Sequence, residues 1–510
     1  MKVDVQTGFG GGMCDPRRGM PADSYSLAVN CDIGAGGVVT RRPLAYAAHE
    51  AHTLLHVSEV GTEYFGVQYL RIRRRAAGLY ADAKEVGDDG QLRPGVQIRF
   101  AETVGGGAAE YISETGSTWK AEHASAFQIG DTLYFSFAFT GGVSLTYSGH
   151  LKDYQLTGGG KTRYLVVTRH ASPFPLCRAA VYAFRRVWLA ACQPGTVMRY
   201  YFVAVSDAVD GDAVQPPVGF SAPLLAIDFA TSSDVLGFCP LGGSMLVFKR
   251  GGVWRITGCE GEPAGMRVGL VTGRAGAVGP NAWCVAEGAC WFLSDGGLWR
   301  IGPDGGAECV TGAVAGFWRE SVFFGDGADF HASLCEHGGR LLMSVPYGGA
   351  GPCDAFLVWA LDLGRFVGVW TGEGFGGRLL GAGRRGTFAF GDGGWAQVCP
   401  GWVVSSADAA HDDLKVTLYT REVSECCGRH FCICVRVGLR NAPDYDGALH
   451  AVSVSATVGN KTITKSLEAA RGVLTFMFGC ASEALRVELV FQGGFVTIEM
   501  VSVGYVLRPG

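Results

Sequence analysis

Two eleven-residue stretches repeat one another at an offset of 45 residues, and they constrain the fold more than any other feature of this chain. Leu246-Val-Phe-Lys-Arg-Gly-Gly-Val-Trp-Arg-Ile256 aligns without gaps on Trp291-Phe-Leu-Ser-Asp-Gly-Gly-Leu-Trp-Arg-Ile301. Each copy reads as strand, Gly-Gly hairpin, strand, with Trp254 and Trp299 placed after the turn, where they can pack between adjacent sheets. The cadence continues, since Gly348-Gly349 lies 52 residues beyond Gly296-Gly297 and Gly393-Gly394 lies 45 beyond that. Upstream, Gly78, Gly141-Gly142 and Pro194-Gly195 are looser candidates for the same turn. A period of ~40 to 50 residues, with four strands, a glycine turn and an aromatic in each, is the pattern of β-propeller blades. One four-stranded blade cannot bury both of its faces alone, whereas radial stacking covers each face with a neighbour. Glycine is expected at the hairpin tips, because type I′ and II′ turns require φ > 0.

The expected fold class is therefore all-β: a six- or seven-bladed propeller over residues 44–402, preceded by an extended amino-terminal arm and leading strand over 1–43. The glycine turns stop after Pro400, residues 403–413 read as a polar linker, and 414–510 carry five or more short alternating strands expected to form a β-sandwich. An irregular large sandwich or several small barrels are the alternatives. Helical periodicity is nearly absent, because Gly or β-branched residues interrupt almost every window of amphipathic length. The 78 glycines among 510 residues come with only 19 prolines and 48% hydrophobic residues, which excludes collagen and a disordered chain. No apolar run reaches the ~18 residues of a membrane helix, and Met1-Lys2-Val3-Asp4 lacks a signal-peptide core, so a soluble product without membrane insertion is expected. A formal charge of −4 argues against general nucleic-acid binding. The 17 cysteines are scattered and odd in number, and are read as reduced, buried small hydrophobes.

No local motif for catalysis or cofactor binding holds. Gly158-Gly-Gly-Lys-Thr162 leads into a strand rather than the helix a phosphate loop needs. The run Gly372-Glu-Gly-Phe-Gly-Gly377 is followed by too much glycine for a dinucleotide-binding helix. Cys426, Cys427, His430, Cys432 and Cys434 form the densest soft-ligand cluster, yet no second pair faces them, so a strand face and a turn account for them better than zinc. His411-Asp412-Asp413, Asp326 and Asp329 read as solvated turn acids. Neither G-x-S-x-G nor H-E-x-x-H occurs. Catalytic, cofactor and metal residues are thus expected to be none. The structural residues singled out are Gly251, Gly252, Trp254, Gly296, Gly297, Trp299, Gly393 and Gly394, and the basic residues Arg41, Arg42, Arg71, Arg73, Arg74 and Arg75 are candidates for an interface or channel surface.

The layout resembles the tail hub or nozzle proteins of short-tailed bacteriophages, sometimes described as phage stabilisation proteins. The resemblance rests on Asn30, Gly36-Gly37 and Arg41-Arg42-Pro43 near the amino terminus, on Asp234 to Gly258, on Val278-Gly-Pro followed by Cys290 to Ile301, and on the position of the carboxy-terminal β-domain. It implies a non-enzymatic virion subunit, assembled in the host cytoplasm. In that family the subunit forms a ring, a homohexamer, below the portal and adaptor, contacts tail spikes or fibres, and lets DNA pass at ejection. The runner-up is a propeller enzyme or glycan-binding receptor-recognition protein, which predicts a channel-mouth site of converging Asp, Glu, Arg and aromatic residues.

Overall fold

Thr132–Phe139 is buried along its whole length, as a strand covered on both faces must be, whereas Val452–Val458 alternates buried and half-buried residues and so has one covered face. The computed structural model describes residues 2–6, 9, 12–14, 24–34, 37–40, 44–47, 53–62, 66–86, 92–114, 120–156, 163–190, 202–209, 219–227, 233–324, 332–349, 353–371, 379–383, 386–391, 394–398, 415–420, 429–441, 452–467, 472–482, 485–492 and 496–508. Among them the chain is nearly all β, with one short α-helix, Ala315–Ser321.

The strands between 44 and 398 form a propeller of antiparallel meanders. The first unit is Thr53–Thr62, Gly66–Arg75, Gly78–Val86 and Leu92–Ala101; the second is Ala121–Ile129, Thr132–Phe139, Val143–His150 and Arg163–Arg169, and a parallel pairing of Leu92–Ala101 with Arg163–Arg169 joins the two. Three separate four-stranded sheets follow, over residues 179–226, 235–272 and 283–309. The sixth unit is Ser333–His337, Arg340–Val345, Ala355–Ala360 and Arg365–Thr371. In the seventh, Leu379–Gly383, Gly386–Gly391 and Gly394–Val398 take their fourth strand from Leu44–Ala47, with Trp395 opposite Ala47 and Val398 opposite Leu44. The first strand of each unit touches the first strand of the next, and Leu379–Gly383 touches Thr53–Thr62 of the first unit.

Apolar faces fill the spaces between units. Leu70, Ile72, Ile98 and Phe100 of the first unit pack with Phe135, Phe137, Leu165 and Val167 of the second. Trp254 is buried with Trp188 and Val205 of the preceding unit, while Trp299 is half-buried and stacks on Phe292 of its own sheet at 6.2 Å. Between the fourth and fifth units Trp283 lies flat on Phe248, 4.4 Å between ring centres, and a Cβ at Gly237 would meet its ring at 2.8 Å. Glycine at 237 is therefore a packing requirement.

The amino-terminal stretch, expected as an arm, is extended but paired. Lys2–Gln6 runs along Val496–Arg508, and Ser24–Val29 lies between Arg365–Thr371 and Lys415–Thr420. Unpaired ladder groups on an exposed edge need partners, and here the two chain ends supply each other's. Val435, Val437 and Leu439 of one carboxy-terminal sheet share a core with Val454, Leu489 and Phe491 of the other, and that core continues into the propeller through Tyr25, which is fully buried and donates to the Val367 carbonyl at 2.7 Å.

The glycine turns fall where the repeat places them, and positive φ accounts for only some of them. The turns anticipated from Gly78 to Gly394 all fall at the link between second and third strands, with Pro194, Gly195 and Gly393 themselves outside the described residues. Neither Gly251 nor Gly296 is left-handed. Positive φ is found at Gly78, Gly141, Gly142, Gly297 and Gly348 of these turns, and also in the two-residue links between first and second strands: Gly130, Phe184-Arg185, Gly242, Glu287-Gly288 and Gly338-Gly339. In the pairs 251–252 and 296–297 it is the second glycine that the sheet requires, since a Cβ at Gly297 would collide with the Thr311 hydroxyl and one at Gly252 would stand 2.7 Å from the Thr272 carbonyl. Thr311 is buried and its hydroxyl accepts from the Leu298 amide at 2.7 Å, so it has no room to withdraw. Gly297→Ala is expected to cost about 1–3 kcal/mol in chemical denaturation and Gly296→Ala, with open space around it, within about 0.5 kcal/mol.

Candidate functional site

In an up-and-down meander the link into each first strand and the link between second and third strands lie at the same end of the sheet. That end of the ring collects charges from consecutive units. Arg178, one residue before the inner strand Ala179–Ala183, donates from Nη1 to Asp234 Oδ2 at 2.6 Å and from Nε to His123 Nε2 at 3.2 Å. Asp234 stands one residue before Val235–Leu241, and His123 is the third residue of Ala121–Ile129. Three consecutive units thus each send one side chain from the start of the first strand to one place. The ion pair is partly shielded, with side chains 14% and 26% exposed. Nearby on the same rim Arg74 pairs with Glu114 at 3.1 Å, whose other oxygen accepts from the Ala121 amide at 2.7 Å, and Arg250 faces Asp295 of the next hairpin at 3.6 Å.

Burial, and then the Arg178 guanidinium, push the His123 imidazole down to about 4. The ring is therefore neutral at pH 7, with Nε2 accepting from Arg178 and the proton left on Nδ1. A fixed cation, a neutral N–H donor and a carboxylate at one spot can stabilise negative charge developing on an oxygen while taking a proton from water.

The arginines expected on an interface or channel surface are placed differently from one another. Arg71 is 1% exposed and donates to Asp82 at 2.7 Å, and Arg73 lies 2.9 Å from the other oxygen of the same carboxylate. Arg74 is the partner of Glu114, and Arg75 sits over the Tyr80 ring at 5.3 Å. Arg41 and Arg42 lie outside the described residues, as do Gly158–Thr162, Gly372–Gly377, His411–Asp413, Asp326, Asp329, Cys426 and Cys427. His430 and Cys432 are buried in a sheet, and among the described residues no three His, Cys, Asp or Glu side chains are grouped to hold a metal ion. Sequence reading missed His123 and Arg178 and quoted Asp234 only within a longer stretch, because residues 55 and 56 positions apart share no local motif. The signal present is one of phase, since each falls at the start of a repeat.

Neither a protein-family model nor a curated protein matches the chain. Among solved structures it is similar to the periplasmic gluconolactonase of Pseudomonas aeruginosa, at 12% identity over 84% of this chain and 99% of that one, with a TM-score of 0.34. It is also similar to a GH43 glycoside hydrolase (12% identity, 91% and 99% covered, TM-score 0.30) and to Trypanosoma rangeli sialidase (9% identity, 94% and 94% covered, TM-score 0.31). The expectations of a tail hub or nozzle subunit and of a chain without enzymatic activity are corrected here, since the solved structures named are propeller hydrolases and none is a tail protein. At these scores the likeness concerns architecture, and chemistry has to come from this chain's own residues.

Proposed function

We propose that this chain is a seven-bladed β-propeller hydrolase, with a carboxy-terminal β-sandwich, that cleaves an acyl ester or lactone of a small polar molecule at the rim formed by His123, Arg178 and Asp234. Seven blades are supported by the cyclic contacts of the first strands and by the closure of the last unit with Leu44–Ala47. The sandwich is supported by the shared apolar core of the two carboxy-terminal sheets. The observation that carries the functional reading is the convergence of one side chain from each of three units within 2.6 and 3.2 Å.

In this reading water attacks the carbonyl carbon as Asp234 takes its proton, Arg178 and the Nδ1–H of His123 stabilise the oxyanion, and the proton returns to the departing alkoxide. Glycosidic cleavage fits less well, because it uses two facing carboxylates, and of the other acids named on this rim Glu114 is engaged by Arg74 and the Ala121 amide and Asp295 lies against Arg250. The test is release of acid from aryl esters and small lactones by the purified chain. Asp234→Asn is expected to lower kcat/KM by about a hundredfold with the melting temperature little changed. Absence of turnover on every ester and lactone, or an unchanged rate in Asp234→Asn, refutes the assignment.

A further inference from the structure

The first unit has one apolar face and one charged face. On the charged face, Arg73, Arg75, Lys84 and Arg99 line a cleft of about 340 Å³ together with Asp82 and Glu110. These residues come from neighbouring strands in register, with Asp82 opposite both Arg71 and Gln97, and Arg73 opposite Tyr80. Four cations against two carboxylates leave the lining positive by two charges, and Asp82 is also shared with Arg71 behind it. Glu110 neutralises little: its side chain is 67% exposed and 3.7 Å from Arg99. The Arg99 guanidinium is held over the Tyr164 ring at 4.2 Å, and its buried Nε makes no hydrogen bond. Arg71 Nε, in a side chain 1% exposed, makes none either. Gly95 sits in the bulge between Pro94 and Gln97, where a Cβ would meet the Ala83 carbonyl at 2.7 Å. Such bulges re-aim the side chains of a strand and recur beside binding sites.

We propose that this cleft binds a small polyol bearing one oxyanion, a sugar carboxylate or sugar phosphate. Its volume is at the lower end of small-molecule pockets, about 300–1,000 Å³, and suits one sugar-sized molecule. Planar guanidiniums match the oxygens of a carboxylate or phosphate, and Gln97 offers both donors and acceptors to hydroxyls. His123, Arg178 and Asp234 are not part of the lining, so the site stands or falls independently of the hydrolase reading.

The test is calorimetric titration of the intact chain with glucuronate, glucose 6-phosphate, glucose and inorganic phosphate. One or both of the acidic sugars are expected to bind at least tenfold more tightly than glucose and than inorganic phosphate, with affinity falling as salt rises. Arg99→Gln and the more exposed Arg75→Gln are each expected to weaken that binding at least tenfold with circular dichroism and melting unchanged. Equal affinity for glucose overturns the anion requirement, equal affinity for inorganic phosphate overturns the saccharide requirement, and unaltered binding in both variants overturns the location.

Discussion

Replacing Asp82 with alanine is expected to destabilise the protein by about 3–5 kcal/mol, the cost typical of breaking a buried ion pair from one side. Arg71 and Arg73 reach the two oxygens of this one carboxylate at 2.7 and 2.9 Å, with side chains 1% and 8% exposed against 14% for Asp82. Burial works against ionisation of Asp82, but Arg71, Arg73 and then Lys84 outweigh it and hold the carboxyl below its ordinary range. Without it, two guanidiniums stay in the space between sheets without their shared counter-charge. The comparison that isolates this cause is Asp82→Ala with Arg71→Met, in which an apolar side chain of similar reach replaces the buried cation and part of the loss is regained. A loss under about 1 kcal/mol in urea denaturation of Asp82→Ala contradicts the account.

Acid is expected to weaken the fold well above the range where carboxylates titrate. His56 is buried, and burial pushes its pKa down to about 4 despite its contact with the Ala126 carbonyl; burial and Arg178 do the same to His123. Both rings are neutral in the folded protein below pH 6.5, where the unfolded chain has already taken up the proton. The unfolded state then binds more protons, so stability is complete above about pH 6.5 and is lost as pH falls toward 4. At pH 5 the loss is on the order of 2 kcal/mol per histidine. Asp82 contributes in a separate, more acidic window, because its folded pKa is the depressed one of a carboxylate. Denaturation of the wild type at pH 7.5 and 5.0, alongside His56→Gln, measures this, and equal stability at the two pH values rules it out. His56 matters for architecture as well, since its Nε2 lies 3.2 Å from the backbone of Ala126 and ties the inner strand of the first unit to that of the second.

Much of the fold was legible beforehand. The Gly-Gly pairs at 251–252 and 296–297 mark hairpins that the structure places between second and third strands, and the looser turn at Gly141-Gly142 falls at the same link. The expectation that a glycine pair signals a left-handed tip holds at Gly141-Gly142 and at Gly348 but not at Gly251 or Gly296. Positive φ angles fall at both kinds of link, on Gly141, Gly142 and Gly348 between second and third strands and, between first and second, on Phe184 and Arg185 without glycine. The basic run Arg71 to Arg75 was visible, but in a strand alternate residues face opposite ways, and only the neighbouring strand decides that Arg71 meets Asp82 while Arg74 turns to Glu114.

The sequence by itself determined what is local: short strands, their alternation, and turns at a repeated spacing. These are written in neighbouring residues, because pleat and hairpin are properties of a few consecutive φ and ψ angles. Only the tertiary structure decided which units adjoin. The pairing of Leu44–Ala47 with Gly394–Val398, of Lys2–Gln6 with Val496–Arg508, and the meeting of His123, Arg178 and Asp234 join residues from 55 to about 500 positions apart. No local periodicity encodes such partners; they follow from burying both faces of every sheet and leaving few edges unpaired, conditions that only the whole ring satisfies.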